Sequence, residues 1–202
     1  MPSVSVTTVM DYLTEPELLN WYTNNSKAKT KAISDEALRI GGAVDLLVQQ
    51  DVKEGGYVIP AGDEAIVNCM KAWESFKKDY PSFVPSVLEM QTELRMDEVI
   101  GHPDFIHADG ITDLKCSTGI RPRYWTQVSQ YFRMRFLNYT SDNFVAVLRL
   151  DKKLGIYEYK IIKDIEYISY ENKIFDAYLL AYNHNRINRE LIRLQLEKEF
   201  LL

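Results

Sequence analysis

The stretch that decides the fold is EVIGHPDFIHADGITDLK, Glu98 to Lys115. Asp109-Gly110 falls between two short apolar runs, which predicts a β-hairpin, because a type I′ turn needs positive φ at both central residues. Such a turn pairs Ala108 with Ile111, Ile106 with Asp113 and Asp104 with Lys115. Side chains alternate along strands and directly opposed residues share a face. Asp104, Asp113 and Lys115 are therefore expected on one side of the strand pair. A four-residue loop would keep that parity, and a bulge would break it.

Around these three charges the sequence is apolar: Val99, Ile100, Phe105, Ile106, Ile111 and Leu114. Two carboxylates and an ammonium in such surroundings carry a high desolvation cost unless something compensates. A bound divalent cation does so. Mg²⁺ prefers one or two carboxylates, waters and phosphate oxygens, and the backbone carbonyl of Leu114 can add another oxygen. The ion can activate water and neutralise charge on a phosphoryl group, while Lys115 stabilises the same charge or orients the nucleophile. The plainer alternative is a salt bridge at a hairpin end.

Working outward, Leu114 to Ser141 contains no Asp or Glu but holds Lys115, Arg121, Arg123, Arg133 and Arg135. The formal net charge of the chain is −5. That balance disfavours a protein that coats duplex DNA, whereas one local positive region suits a site that grips an anion; solvated helix arginines are the alternative. A helix is expected from Pro122 to about Tyr139, since Pro suits a first turn. Gln127 and Tyr131 are four apart, hence on one helical face. Arg121 and Arg123 can meet phosphates together with the helix N-terminal amides.

The remaining pattern gives strands at Val84–Met96, Glu98–Ile106, Ile111–Ser117, Asn143–Leu150 and Gly155–Ile162. Helices are expected at Glu15–Asn24, from Ser34 to the Gly55-Gly56 pair, from Gly62-Asp63 to Pro81, and from Asp164 onward. The reading is a single α/β domain over residues 1–202. It has a helical part (1–82), an αβ core (83–163) built on a central mixed sheet of about five strands flanked by helices, and a C-terminal helical segment (164–202). No repeat, low-complexity stretch or linker divides it.

Composition is that of a globular protein, 46% hydrophobic and 26% charged. No apolar run reaches the roughly 18 residues of a membrane span. The N-terminus lacks a basic-then-apolar leader, so an intracellular, cytoplasmic location is expected. Cys69 and Cys116 form no CxxC or CxxH spacing and read as reduced hydrophobes. His102 shares the strand face of Asp104, and packing is its favoured role.

GHPDF, then DLK, then QVSQY is similar to the PD-(D/E)xK nuclease superfamily, in its RecB-like, phage-type exonuclease branch, where G-x-x-D, D-x-K and Q-x-x-x-Y follow in this order. PSVSVTTVMDYL followed by Trp21 resembles the opening of phage-type and mitochondrial-genome-maintenance-type exonucleases, and Gly41-Gly42-Ala43-Val44-Asp45 resembles their G-T-x-V-H. The resemblance spans Pro2 to Tyr131, about two-thirds of the chain.

It implies a restriction-endonuclease-like core with Asp104, Asp113 and the Leu114 carbonyl as metal ligands. Lys115 would be the catalytic lysine, and Gln127, Tyr131, Arg121, Arg123, Ser117 and Thr8 would contact substrate. Glu93 stands where many relatives carry an acid on the preceding strand and is a candidate metal ligand, with an exposed strand glutamate as the alternative. Asp45 stands where relatives carry His, and is weighed equally as a ligand and as a helix-face carboxylate. The four cysteines of iron–sulfur branches are absent.

The implied activity is a Mg²⁺- or Mn²⁺-dependent DNA exonuclease, with single-stranded ends as a candidate preference. A structure-selective or restriction-type endonuclease is the alternative. A catalytically silent nucleic-acid-binding module of a recombination or CRISPR-type complex is the alternative of another class. DNA is the expected partner, with a second copy or a recombination protein as candidate assistants and no membrane. A viral or mobile-element origin follows from the N-terminal resemblance alone.

Overall fold

A computed structural model describes residues 3–12, 20–21, 23–60 and 62–199. The chain opens with β1 (Val4–Ser5) running into α1 (Val6–Tyr12). The helix expected over Glu15–Asn24 lies outside the described residues except for Asn20, Trp21, Thr23 and Asn24. Next comes α2 (Lys27–Glu54), which starts well before the expected Ser34. Ser26 takes the capping role, accepting from the Lys29 amide, and Gly55 ends the helix at φ 74°. α3 (Glu64–Asp79) is capped by the Asp63 carboxylate.

The expected strand Val84–Met96 is instead a short helix, α4 (Phe83–Ser86), an irregular stretch and β2 (Leu94–Met96). Pro85 has no amide hydrogen to give a ladder, which removes the first half from any strand. The expected strand Glu98–Ile106 is likewise divided into β3 (Val99–Gly101) and β4 (Phe105–Ile106). Pro103 makes that break. β5 (Gly110–Lys115), α5 (Pro122–Arg135), β6 (Phe144–Leu150), β7 (Tyr157–Ile162) and α6 (Ile165–Glu199) complete the order.

This is an α/β fold with mixed sheets flanked by helices. In place of one sheet of about five strands there are, among the described residues, two, ordered β1-β3-β2 and β4-β5-β6-β7. The division falls at His102-Pro103-Asp104. β5 and β6 are parallel, which α5 makes possible as the crossover between them.

The four-stranded sheet is covered on both faces, so its central strands β5 and β6 are buried almost throughout. Ile106, Ile111, Val145 and Val147 pack with Val128 and Phe132 of α5 and Ile168 and Phe175 of α6. Phe105, Leu114, Leu148 and Leu150 pack with Val44 and Val48 of α2 and Met70, Trp73 and Phe76 of α3. Among the described residues no helix is long and apolar enough to cross a membrane.

The hairpin differs in register from the one expected. Phe105 pairs with Thr112 and Ile106 with Ile111, leaving a four-residue connection closed by the His107 amide on the Gly110 carbonyl at 2.9 Å. Neither Asp109 nor Gly110 has positive φ, so there is no type I′ turn. Gly110 serves another purpose as the first residue of β5, opposite Phe144 of β6. A Cβ there would meet the Phe144 ring at 2.5 Å and its carbonyl oxygen at 2.6 Å. The shift is by an even number of residues, so Asp113 and Lys115 stay on the face predicted for them.

Candidate active site

Extending the β4–β5 register by one more bonded pair sets Pro103 opposite Leu114. Pro103 cannot donate, and its carbonyl is already taken by the Gln91 amide at 3.0 Å. The Leu114 amide therefore bonds the Asp104 side chain, at Oδ2, 2.6 Å away. Along a strand the N–H and C=O of one residue point the same way, so the Leu114 carbonyl faces this gap without a ladder donor. One proline thus fixes the Asp104 carboxylate beside β5 and frees a backbone oxygen next to it.

Asp104, Asp113, Leu114 and Lys115 line a cleft of about 380 Å³ with Asp45, Gly41, Gly42 and Leu38 of α2 and Gln127 and Tyr131 of α5. Lys115 Nζ lies 2.6 Å from Asp113 Oδ2 and 5.4 Å from the centre of the Tyr124 ring. Asp113 is only 2% exposed, and its Oδ2 takes no well-directed hydrogen bond besides this ion pair. The Asp104 carboxylate is held at its other oxygen by Gln91 Nε2 at 2.7 Å. Asp45 accepts from Gln49 at 2.9 Å.

The electrostatics are strained in one direction. Burial, then the negative charges of Asp113 and Asp45, push the Asp104 carboxyl well above the usual carboxylate range. Burial raises Asp45 as well. Burial alone would favour neutral Lys115, but Asp113 and Asp104 outweigh it and raise its pKa. The cleft holds three acids, Asp45, Asp104 and Asp113, to one ammonium.

No protein-family model matches the chain, and no curated protein matches it. Among solved structures it is similar to an alkaline exonuclease (LHK-Exo) from Laribacter hongkongensis, at 14% identity and a TM-score of 0.46, over 95% of this chain and 94% of that one. The same enzyme in complex with dAMP gives a TM-score of 0.40. A phage related exonuclease from Haemophilus somnus 129PT gives 16% identity and 0.34, over 89% of this chain and 96% of that one. Likeness at this level assigns neither family nor activity, and the functional reading rests on the side chains.

On α5, Gln127 Nε2 donates to Tyr131 Oη at 2.9 Å. Burial, then the charge of Asp113, push the Tyr131 phenol up to about 12. Its ring lies against Gly101, where a Cβ would meet Tyr131 Cε1 at 2.6 Å. The glycine of GHPD and the tyrosine of QVSQY are therefore in contact, which explains why a side chain is excluded at 101.

Other expected residues stand elsewhere. Arg123 pairs with Asp11. Arg121 is exposed at the start of α5, where its carbonyl accepts from Tyr124. The Ser117 hydroxyl donates to the Gly119 carbonyl at 2.9 Å. Ser5 caps α1, its Oγ accepting from the Thr8 amide at 3.0 Å, and Thr7 is the threonine in the cleft wall. Glu93 is exposed, 3.0 Å from Arg95 and 3.7 Å from His102, and is not part of the cleft wall. His102 does line the cleft. Gln91 is the residue that motif reasoning missed, because no periodicity or motif marks it.

Among the described residues no three His, Cys, Asp or Glu side chains are placed to enclose an ion. The donors that do converge, Asp104, Asp113 and the Leu114 carbonyl, are the set that Mg²⁺ accepts when water and substrate oxygens complete its shell. The Asp113 oxygen bonded only by its ion pair and the excess of acids over bases both fit a divalent cation.

Proposed function

We propose that this chain is a divalent-metal-dependent deoxyribonuclease that hydrolyses phosphodiester bonds from a DNA end. The observation that carries the reading is the convergence of Asp104, Asp113 and Lys115 in one cleft whose charge balance calls for a cation. Asp104, Asp113 and the Leu114 carbonyl would hold Mg²⁺ or Mn²⁺, with Asp45 near enough to repel Asp104 and so to add attraction for the ion. The metal, when bound, supplies a Lewis acid and a water of lowered pKa.

Lys115 is the general electrostatic element. Held ionised by two carboxylates, it faces the place where a phosphoryl group gains charge and stabilises it there. Gln127 and Tyr131 present a hydrogen-bonding edge from the opposite wall, positioned to orient the scissile group. Arg121, at the entrance of α5, is free to meet a neighbouring phosphate. A cleft of about 380 Å³ takes a ligand-sized piece of substrate, which suits a strand end.

The test is cleavage of an end-labelled oligonucleotide by pure protein with Mn²⁺, then with EDTA. Product that requires the metal and disappears in Lys115→Ala is expected. No product with any divalent metal would instead make the chain a silent nucleic-acid-binding module. Cleavage of a closed circular single strand would reassign it as an endonuclease.

A further inference from the structure

We infer that Gln91 is the positioning residue of the metal site and the one that limits it to a single divalent ion. This rests on the metal reading above. Gln91 lies in the irregular stretch between α4 and β2, at φ 52°, a left-handed conformation uncommon for a residue with a long side chain. It grips the Asp104 segment twice. Its backbone amide bonds the Pro103 carbonyl at 3.0 Å, and its side-chain Nε2 bonds Asp104 Oδ1 at 2.7 Å. The same nitrogen stands 3.4 and 3.5 Å from the two oxygens of Asp45. One neutral amide thus ties the carboxylate that comes after β3 to the carboxylate of α2.

The chemistry of that amide has two effects. Its N–H groups hold the Asp104 and Asp45 carboxylates near one another against their repulsion, so a cation meets donors already in place. Outer partners of this kind typically change metal affinity by about 10–100-fold when removed. Its neutrality also sets the charge. With all three acids ionised, as metal binding requires, Asp45, Asp104 and Asp113 with Lys115 leave two negative charges, which one divalent ion cancels. A carboxylate at 91 would leave a third and favour tighter binding or a second ion. Glu93, the acid expected from sequence, does not supply that charge because it faces Arg95 outside the cleft.

The experiment is isothermal titration of the full chain with Mn²⁺, comparing wild type, Gln91→Asn, Gln91→Glu and Asp104→Asn, with thermal melts in EDTA as the folding control. Asn tolerates positive φ, so Gln91→Asn keeps the backbone while its shorter amide cannot span both acids. Wild type is expected to bind one Mn²⁺. Gln91→Asn should bind it about tenfold more weakly or worse, and Gln91→Glu at least tenfold more tightly or with a second ion. Gln91→Asn and Gln91→Glu both matching wild type, while Asp104→Asn loses Mn²⁺, would overturn the role of Gln91 and leave the site standing. A wild type that takes up no Mn²⁺ would overturn the metal reading itself and this inference with it.

Discussion

Lys115 and Arg149 are register partners at the ends of the parallel strands β5 and β6, yet they sit in opposite kinds of charge cluster. Arg149 is buried and bonds Asp151 at 2.8 Å, Glu158 at 2.9 Å and the Ser117 carbonyl at 3.1 Å. Asp151 also caps the turn after β6 through the amides of Lys153 and Leu154, and Lys160 balances Glu158 at 3.0 Å. Two acids meet two bases there. The bonds from Leu154, Lys153 and Arg149 overcome burial and lower the Asp151 pKa, and Lys160 and Arg149 lower Glu158. In the cleft beside it, three acids meet one base, and Asp104 and Asp45 are raised. The first cluster balances its acids with bases, whereas the second has three acids to one base, an arrangement that a divalent cation would balance.

The largest expected effect breaks that comparison on the Lys115 side. Lys115→Ala should lower Mn²⁺-dependent cleavage by about 10²–10³-fold or more, the scale of losing one group that stabilises transition-state charge. It also leaves Asp113 buried without its partner, so urea unfolding in EDTA should show a loss of stability. Because the site then holds only carboxylates, Mn²⁺ should restore more stability to this variant than it adds to wild type. Equal gains in the two proteins would contradict a metal site at Asp113.

Arg149→Ala should cost about 3–5 kcal/mol in the same unfolding experiment, since the buried Asp151 carboxylate loses its guanidinium and the part-exposed Glu158 keeps only Lys160. Mn²⁺ should stabilise it no more than it stabilises wild type. Rescue of Arg149→Ala by the metal would show the two clusters to be one.

Only the Lys115 side of this contrast was legible in the sequence, for reasons that differ by residue. Side-chain parity has a period of two, so Asp113 and Lys115 kept their common face although the register moved and the type I′ turn did not form. The single five-stranded sheet was not legible as two, because the pattern of apolar residues runs through Val99–Ile106 while Pro103 interrupts hydrogen bonding rather than hydrophobicity. The start of α2 was missed because Asp35 and Glu36 make Ser34 the better electrostatic start, whereas Lys27 and Lys29 oppose the helix dipole after Ser26. Gln91 left no trace at all. Its role comes from a left-handed backbone and a contact with Asp45 across 46 positions of sequence. Arg149 carries no motif either, and only its burial between two acids distinguishes it from a surface arginine.

A moderate effect sharpens the comparison through pH. Asp151 and Glu158 have folded pKa values below their ordinary ones, so their contribution is present above the ordinary carboxylate range of about 4. It is lost as pH falls through the lower folded values. Asp151→Asn should therefore flatten the acid limb of the stability profile and cost about 1–3 kcal/mol near neutral pH, the range for a buried hydrogen-bonded group losing a charged partner. Cleavage at neutral pH should be unchanged. An acid limb identical to that of wild type would show that these carboxylates do not carry it.

The smallest effect concerns Asp45, which marks the edge between the two kinds of cluster. It is half-buried on α2, it already has a donor in Gln49, and its contact with Gln91 is longer than that of Asp104. Asp45→Asn keeps an oxygen toward Gln49 and removes only the charge. Mn²⁺ affinity should fall by no more than about tenfold, as for an outer group rather than a ligand, and stability should stay within about 0.5 kcal/mol. Asp45→His is the informative companion, because an imidazole favours transition metals over Mg²⁺, so it should widen the Mn²⁺-over-Mg²⁺ preference in cleavage. If Asp45→Asn instead abolished cleavage as fully as Lys115→Ala, Asp45 would belong among the ligands, and α2 would be part of the catalytic centre rather than its wall.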